Sequence, residues 1–344
     1  MNINRIKNIL IFLVLLFLGF VLFYFVIEWV GWAEIKEILF TFSGYKGIVI
    51  LILSILIWLA GLLRWEFVLK SFGYKFSQLG LFEIYFASYT LNYFFSPPVY
   101  FGDELFRLYA TKKKFSIEQD KNLATIAIEK VLSASILLLF LVFGAISFIF
   151  LVKVPFKNFG LISLSVIGVL SVALFLFYFR SFNKKSIFNI FFKIFGIKNK
   201  RNQEIFNNIE EEIFRFFDFK KSLMWKGLTV AFSRYFFIFA RCWFLIYFLT
   251  GGTGILIPIV VLLFLFLATV LPFPARIGGL ELTQAFAFGV LGMGTAVGIT
   301  FSFIIRGAEM LIALFGLVLF IRLGIKFSHQ GIENITNNTK TKKR

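Results

Sequence analysis

The stretch Pro97-Pro98-Val99-Tyr100-Phe101-Gly102-Asp103-Glu104 interrupts an apolar polypeptide and has a second copy, Pro274-Ala275-Arg276-Ile277-Gly278-Gly279-Leu280-Glu281. Both read proline, four residues, glycine, one residue, glutamate, and the offset from Pro97 to Pro274 is 177 positions. The same offset carries Arg64 onto Arg241 and Glu129 onto Arg306. Charge inside an apolar membrane segment is expensive and marks function by default. Two registered sets of such charges predict a duplicated membrane unit.

Composition agrees. Of 344 residues, 59% are apolar and only 16% charged, with a mean hydropathy of +0.88. The charges crowd together and leave apolar runs near the roughly 20 residues that cross a bilayer. A net charge of +18 invites a nucleic-acid reading, but the Lys and Arg lie at the ends of apolar segments rather than on a soluble surface. They read as cytoplasmic flanks and lipid-headgroup contacts, and no nucleic acid is expected. One cysteine, Cys242, and one histidine, His329, argue against a zinc or thiol enzyme. No metal or other cofactor is expected.

Taken in order, Arg5 and Lys7 precede a retained span at residues 9–27, with the N-terminus inside. A second span at residues 48–63 ends at Arg64. Residues 81–95 are apolar but short, end at Pro97, and are followed within a few turns by the cytoplasmic signal Lys112-Lys113-Lys114. Both ends face the same side, so a re-entrant hairpin is expected, broken where proline lacks a donor and Gly102 permits close packing. Further spans are predicted at residues 123–152, 159–179, 227–249 and 296–321. A second hairpin around Pro274 enters from the opposite side. Between the halves, apolar residues recur at helical spacing, first at Ile187, Ile190, Phe191, Ile194 and Phe195 with lysine among them and then at Ile205, Ile209, Ile213 and Phe216, and predict amphipathic helices on the membrane surface.

The expected fold is an all-α polytopic integral membrane protein, with about six spanning helices and two oppositely oriented re-entrant hairpins as an inverted repeat. Residues 1–330 form one transmembrane domain, with repeat one at about 48–152, repeat two at about 226–321 and a cytoplasmic linker at 180–226. A basic tail, 331–344, is expected inside, which makes both termini cytoplasmic and the chain a multi-pass protein of the cell membrane.

The duplicated motifs carry the chemistry. Helices starting after Pro97 and Pro274 would aim positive dipole ends toward the midplane, a ready anion site. Arg64, Arg107, Arg241, Arg276 and Arg306 add donors suited to a phosphate. Glu104, Glu129 and Glu281 would neutralise them in an empty site or carry a proton, with Gly102, Gly278 and Gly279 shaping the turns. For Glu66, Glu83 and Glu309 a plain structural ion pair is expected. The glycines at 289, 292, 294 and 298 suit tight helix contact better than nucleotide binding.

Gly102-Asp103-Glu104 with Arg107, then Glu129-Lys130, then Pro274-x-x-x-Gly278-Gly279-x-Glu281 and Arg306, resemble the lysylphosphatidylglycerol synthase transmembrane family. The resemblance covers residues 9–321 and implies translocation of a charged-headgroup lipid between leaflets, not aminoacyl transfer. It also marks Asp103, Lys130 and Pro274 as site positions. Two departures stand out: the family's Glu-Arg pair is here Glu129-Lys130, and Asp103 is inserted before Glu104. The expected function is a lipid flippase or transporter for an anionic or phosphate-bearing headgroup, not an enzyme. Its partners are the lipid, a phospholipid or isoprenoid phosphate, and the membrane, with self-association into a homo-oligomer left open. The alternatives are a membrane-embedded enzyme or an accessory protein of polyprenyl-phosphate or envelope glycolipid pathways.

Overall fold

The computed structural model describes residues 24, 28, 32–33, 37, 44–95, 102–152, 159–186, 200–218, 222–270 and 278–341. Every element among them is an α-helix. Most of the predicted first span, both proline breaks with Pro97, Pro274 and Arg276, and the first amphipathic stretch lie outside these residues.

The first half holds α1 (Tyr45–Ser71), α2 (Gln78–Phe95), α3 (Gly102–Phe115) and α4 (Gln119–Leu151). Two helices follow, α5 (Phe159–Phe182) and α6 (Lys200–Phe216). The second half holds α7 (Ser222–Thr250), α8 (Leu256–Val270), α9 (Gly279–Val290) and α10 (Thr295–Thr341). Five described helices are long and apolar enough to cross a membrane: α1, α4, α5, α7 and the Thr295–Lys326 part of α10. At 1.5 Å per residue the 27 residues of α1 reach about 40 Å, more than a hydrocarbon core. The chain is thus a multi-pass, all-α membrane protein.

The offset of 177 carries Tyr45 onto Ser222 and Gly102 onto Gly279, the first residues of α1 and α7 and of α3 and α9. Helix partners exchange in the same way. The two first helices, α1 and α7, pack on each other; α2 packs on α10 as α8 packs on α4; and α2 meets α3 as α8 meets α9. The exchange fails at one place. The α9–α10 seam is extensive, whereas α3 meets α4 only sparsely.

Small residues make the close crossings, as expected where lipid offers no hydrophobic drive and packing must hold helices together. Gly316 of α10 sits against the Phe86 carbonyl and Thr90 of α2, and Thr90 Oγ1 donates to the Ala313 carbonyl at 2.7 Å. Gly144 of α4 lies against Leu263 and the Ile259 carbonyl of α8. Gly298 of α10 meets the backbone of Gln284 and Ala285 on α9. At the start of α9, Gly278 adopts φ 79°, a left-handed conformation that a side chain would strain. α5 is the opposite case: Leu164, Val169, Val172, Phe175 and Phe179 are exposed, the pattern of a helix whose face meets lipid.

The amphipathic helix α6 differs from expectation. Its apolar face does not lie on a membrane surface: Ile209, Ile213, Phe216 and Phe217 are buried. Phe216 packs edge-on to Phe67 of α1, and Phe217 packs edge-on to Phe177 of α5. Aromatic rings of this size bury more area in a protein groove than at an interface, and the groove is supplied by α1, α4 and α5. The polar side, with Glu211 and Arg215, faces outward.

Candidate functional site

Glu129, 3% exposed, is the hub of the polar interior. Arg64 Nη2 of α1 donates to its Oε1 at 2.6 Å, and Arg107 Nη2 of α3 donates to its Oε2. The Arg107 guanidinium also lies 4.1 Å above the Trp65 ring, a cation–π contact in a desolvated setting. One carboxylate thus ties three helices, and all three charged groups are buried. Removing the carboxylate would leave two uncompensated guanidiniums in a low-dielectric interior.

The two halves use one pairing scheme. An arginine on the first helix meets a carboxylate on the fourth: Arg64 with Glu129, and Arg241 with Glu309 at 3.1 Å. A carboxylate in the first turn of the third helix meets a cation on the fourth: Glu104 with Lys130, and Glu281 with Arg306. The fourth-helix order differs. In α4 acid and base are neighbours, Glu129-Lys130, while in α10 the base Arg306 precedes the acid Glu309 by three residues. The scheme survives because positions three apart share a helix face. Arg241 also donates to Ser54 of α1 at 3.1 Å, linking the halves.

These groups surround a cavity of about 580 Å³, within the size range of ligand pockets. Of the predicted positions, Arg64, Asp103, Arg107, Glu129, Lys130, Arg241 and Arg306 line it. Glu104 and Glu281 sit behind the wall as partners of Lys130 and Arg306. Gly102 opens α3, Gly278 caps α9, and Gly279 opens it. Pro274 and Arg276 lie outside the described residues.

Glu66 and Glu83 form ion pairs, with Lys70 at 2.6 Å and with Lys114 at 2.6 Å. Glu309 pairs too, but it also lines the cavity, which the sequence reading did not expect. The reading also passed over Arg234 and an aromatic wall of Trp58, Tyr85, Tyr89 and Tyr93, all lining the cavity. The signals were present. Arg234 and Arg241 are two turns apart on one face of α7, and Tyr85, Tyr89 and Tyr93 recur every four residues on α2. The tyrosines brace α10 as well: Tyr89 and Tyr93 hydroxyls donate to the Glu309 and Arg306 carbonyls at 3.2 and 3.3 Å.

Chemically, the site presents guanidinium and ammonium groups, an aromatic face and carboxylates inside a shell of apolar helices. Such a set can hold an anionic group and exchange its ion pairs around it. The UPF0104 membrane protein MJ1595 of Methanocaldococcus jannaschii is 24% identical over 294 residues, spanning 83% of this chain and 86% of that protein. No solved structure matches the chain significantly. The family model described as the lysylphosphatidylglycerol synthase TM region matches residues 9–316. With that match running through both proline motifs, Glu129-Lys130 and Arg306, the chain belongs to the lysylphosphatidylglycerol synthase transmembrane-region family.

Proposed function

We propose that this protein is a lipid flippase or transporter that carries an anionic or phosphate-bearing headgroup across the bilayer. The observation behind this reading is the cavity itself. Six cationic side chains from both halves, Arg64, Arg107, Lys130, Arg234, Arg241 and Arg306, line it inside helices otherwise made of apolar residues. Charge inside apolar membrane helices marks a functional site by default. The headgroup enters the cavity, displaces part of the ion-pair network, and leaves on the other side, with the acyl or prenyl tail remaining in the membrane. On this reading the protein is a carrier, not a catalyst. The two proline breaks form oppositely oriented re-entrant hairpins, both termini are cytoplasmic, and the membrane is the cell membrane.

The first turns of α3 and α9 already hold Glu104 and Glu281, carboxylates that suit the positive end of a helix. Anion recognition therefore falls mainly to the guanidiniums. The test is leaflet exchange of fluorescently labelled phosphatidylglycerol in vesicles reconstituted with the full chain. Protein-dependent exchange is expected, and Glu104→Gln and Arg306→Gln should abolish it in protein that still elutes as a folded monodisperse species. No protein-dependent exchange in wild type would point instead to a scaffolding role, and wild-type exchange in both variants would remove these ion pairs from the transport path.

A further inference from the structure

The cavity cations are not equivalent. Arg64 and Arg107 share Glu129, Lys130 has Glu104, Arg241 has Glu309, and Arg306 has Glu281. Arg234 of α7 differs: among the described residues no carboxylate lies within ion-pairing distance of it. Its guanidinium rests 4.9 Å from the centre of the Trp58 ring. The Tyr85 hydroxyl and Arg234 Nη1 both lie against Gly61 of α1. The close approach depends on Gly61 of α1. A methyl group there would overlap the Tyr85 hydroxyl and come within 3.3 Å of Arg234 Nη1. A second observation points the same way. Arg64, 3% exposed, spends Nη2 on Glu129 while its Nε and Nη1 have no hydrogen-bond partner. Buried donors are rarely left unmade, because desolvating them is costly.

Three guanidiniums, Arg64, Arg107 and Arg234, stand against two carboxylates, Glu129 and Asp103, and Glu129 pairs only with the first two, so positive charge is in excess beside a hydroxyl donor. Within the cavity, this corner combines excess charge, orphan donors and an aromatic platform. We infer that Arg234, the Tyr85 hydroxyl and the unpartnered edge of Arg64 form an oxyanion subsite that grips the phosphate of the transported lipid, over a floor kept open by Gly61. The inference rests on the lipid-transport reading for the identity of its ligand. Within it the labour divides: the Glu129 cluster positions Arg64 and Arg107, and Arg234 supplies the uncommitted planar fork that matches phosphate geometry.

The test is binding, separate from transport. Purified full-length protein is mixed with dioctanoyl phosphatidylglycerol, dodecyl phosphate or inorganic phosphate, and retention is read by native mass spectrometry and by ligand-induced thermal shift. Wild type should retain at least one of the two lipidic probes. Arg234→Gln should weaken that retention by about tenfold or more, the size of a lost charge-assisted contact. Arg234→Lys, which keeps the charge but not the fork, should fall between, and Tyr85→Phe should weaken binding by a smaller factor. Arg215→Gln, an equal charge loss on the outward side of α6, should change nothing. Preference for dodecyl phosphate over phosphatidylglycerol assigns a monoester lipid, and the reverse a diester. The subsite is overturned if wild type retains no phosphate probe, if Arg234→Gln and Arg234→Lys both bind as wild type, or if inorganic phosphate binds as well as either lipid. Binding as expected without any leaflet exchange would defeat the transport reading and leave the subsite standing.

Discussion

At the scale of single residues, the interior separates charges that hold the protein together from charges free to meet a ligand. Glu129 belongs to the first group, since it satisfies two buried guanidiniums at once. Glu129→Gln is expected to cost about 3–5 kcal/mol, the penalty for breaking a buried pair, and to lower the melting temperature of the purified protein sharply. Glu66→Gln removes only a pair with a largely exposed lysine, Lys70, and should shift stability by about 0–1 kcal/mol. Comparable melting temperatures for the two variants would refute the distinction. Sequence alone ranked Glu129 and Glu309 differently, as site and as structure. An offset can register identical positions, but it cannot see that Glu309 lies one turn from the place where Glu129 maps. Pairing partners are set by helix faces across a bundle, and Arg234 was missed for the same reason.

At the scale of helices, contact depends on where glycine lets backbones approach. Gly316 has the Phe86 carbonyl and Thr90 directly above it, whereas nothing lies within 4 Å of a side chain added at Gly324 on the same helix. Gly316→Ala should therefore destabilise by about 1–3 kcal/mol through overpacking. Gly324→Ala should be neutral, or stabilising by up to about 1 kcal/mol through helix propensity. Thermal unfolding in one detergent reads both, and equal effects would contradict the α2–α10 crossing. Of the helices, the five long apolar ones were legible from hydropathy, because length and composition alone decide them. The docking of α6 was not. An amphipathic stripe reports that one face is apolar and says nothing of whether lipid or protein covers it. Only the neighbouring Phe67 and Phe177 settle the matter here.

For the whole molecule, the duplicated motif proved to be the most informative part of the sequence. It registers helix starts and predicts which helices bring charge to the centre. The proposed opposite entry of the two hairpins is tested by sidedness. Single cysteines at Tyr100→Cys and Ile277→Cys, in a Cys242→Ser background, should react with impermeant thiol reagents from opposite faces of sealed vesicles. Labelling of both from one face would rule that arrangement out. The halves are nonetheless not equal. α9 is clasped along α10, with Gly298 seated against Gln284 and Ala285, while α3 is held to α4 mainly by its ion pairs and by Asn122, which donates to Thr111 and to the Leu108 carbonyl. In mechanical terms the molecule is a vice with one fixed jaw and one compliant jaw. The less tightly seamed one carries Asp103, Glu104 and Arg107, so on the transport reading the exchange of its salt bridges to α4 is the step expected to move it.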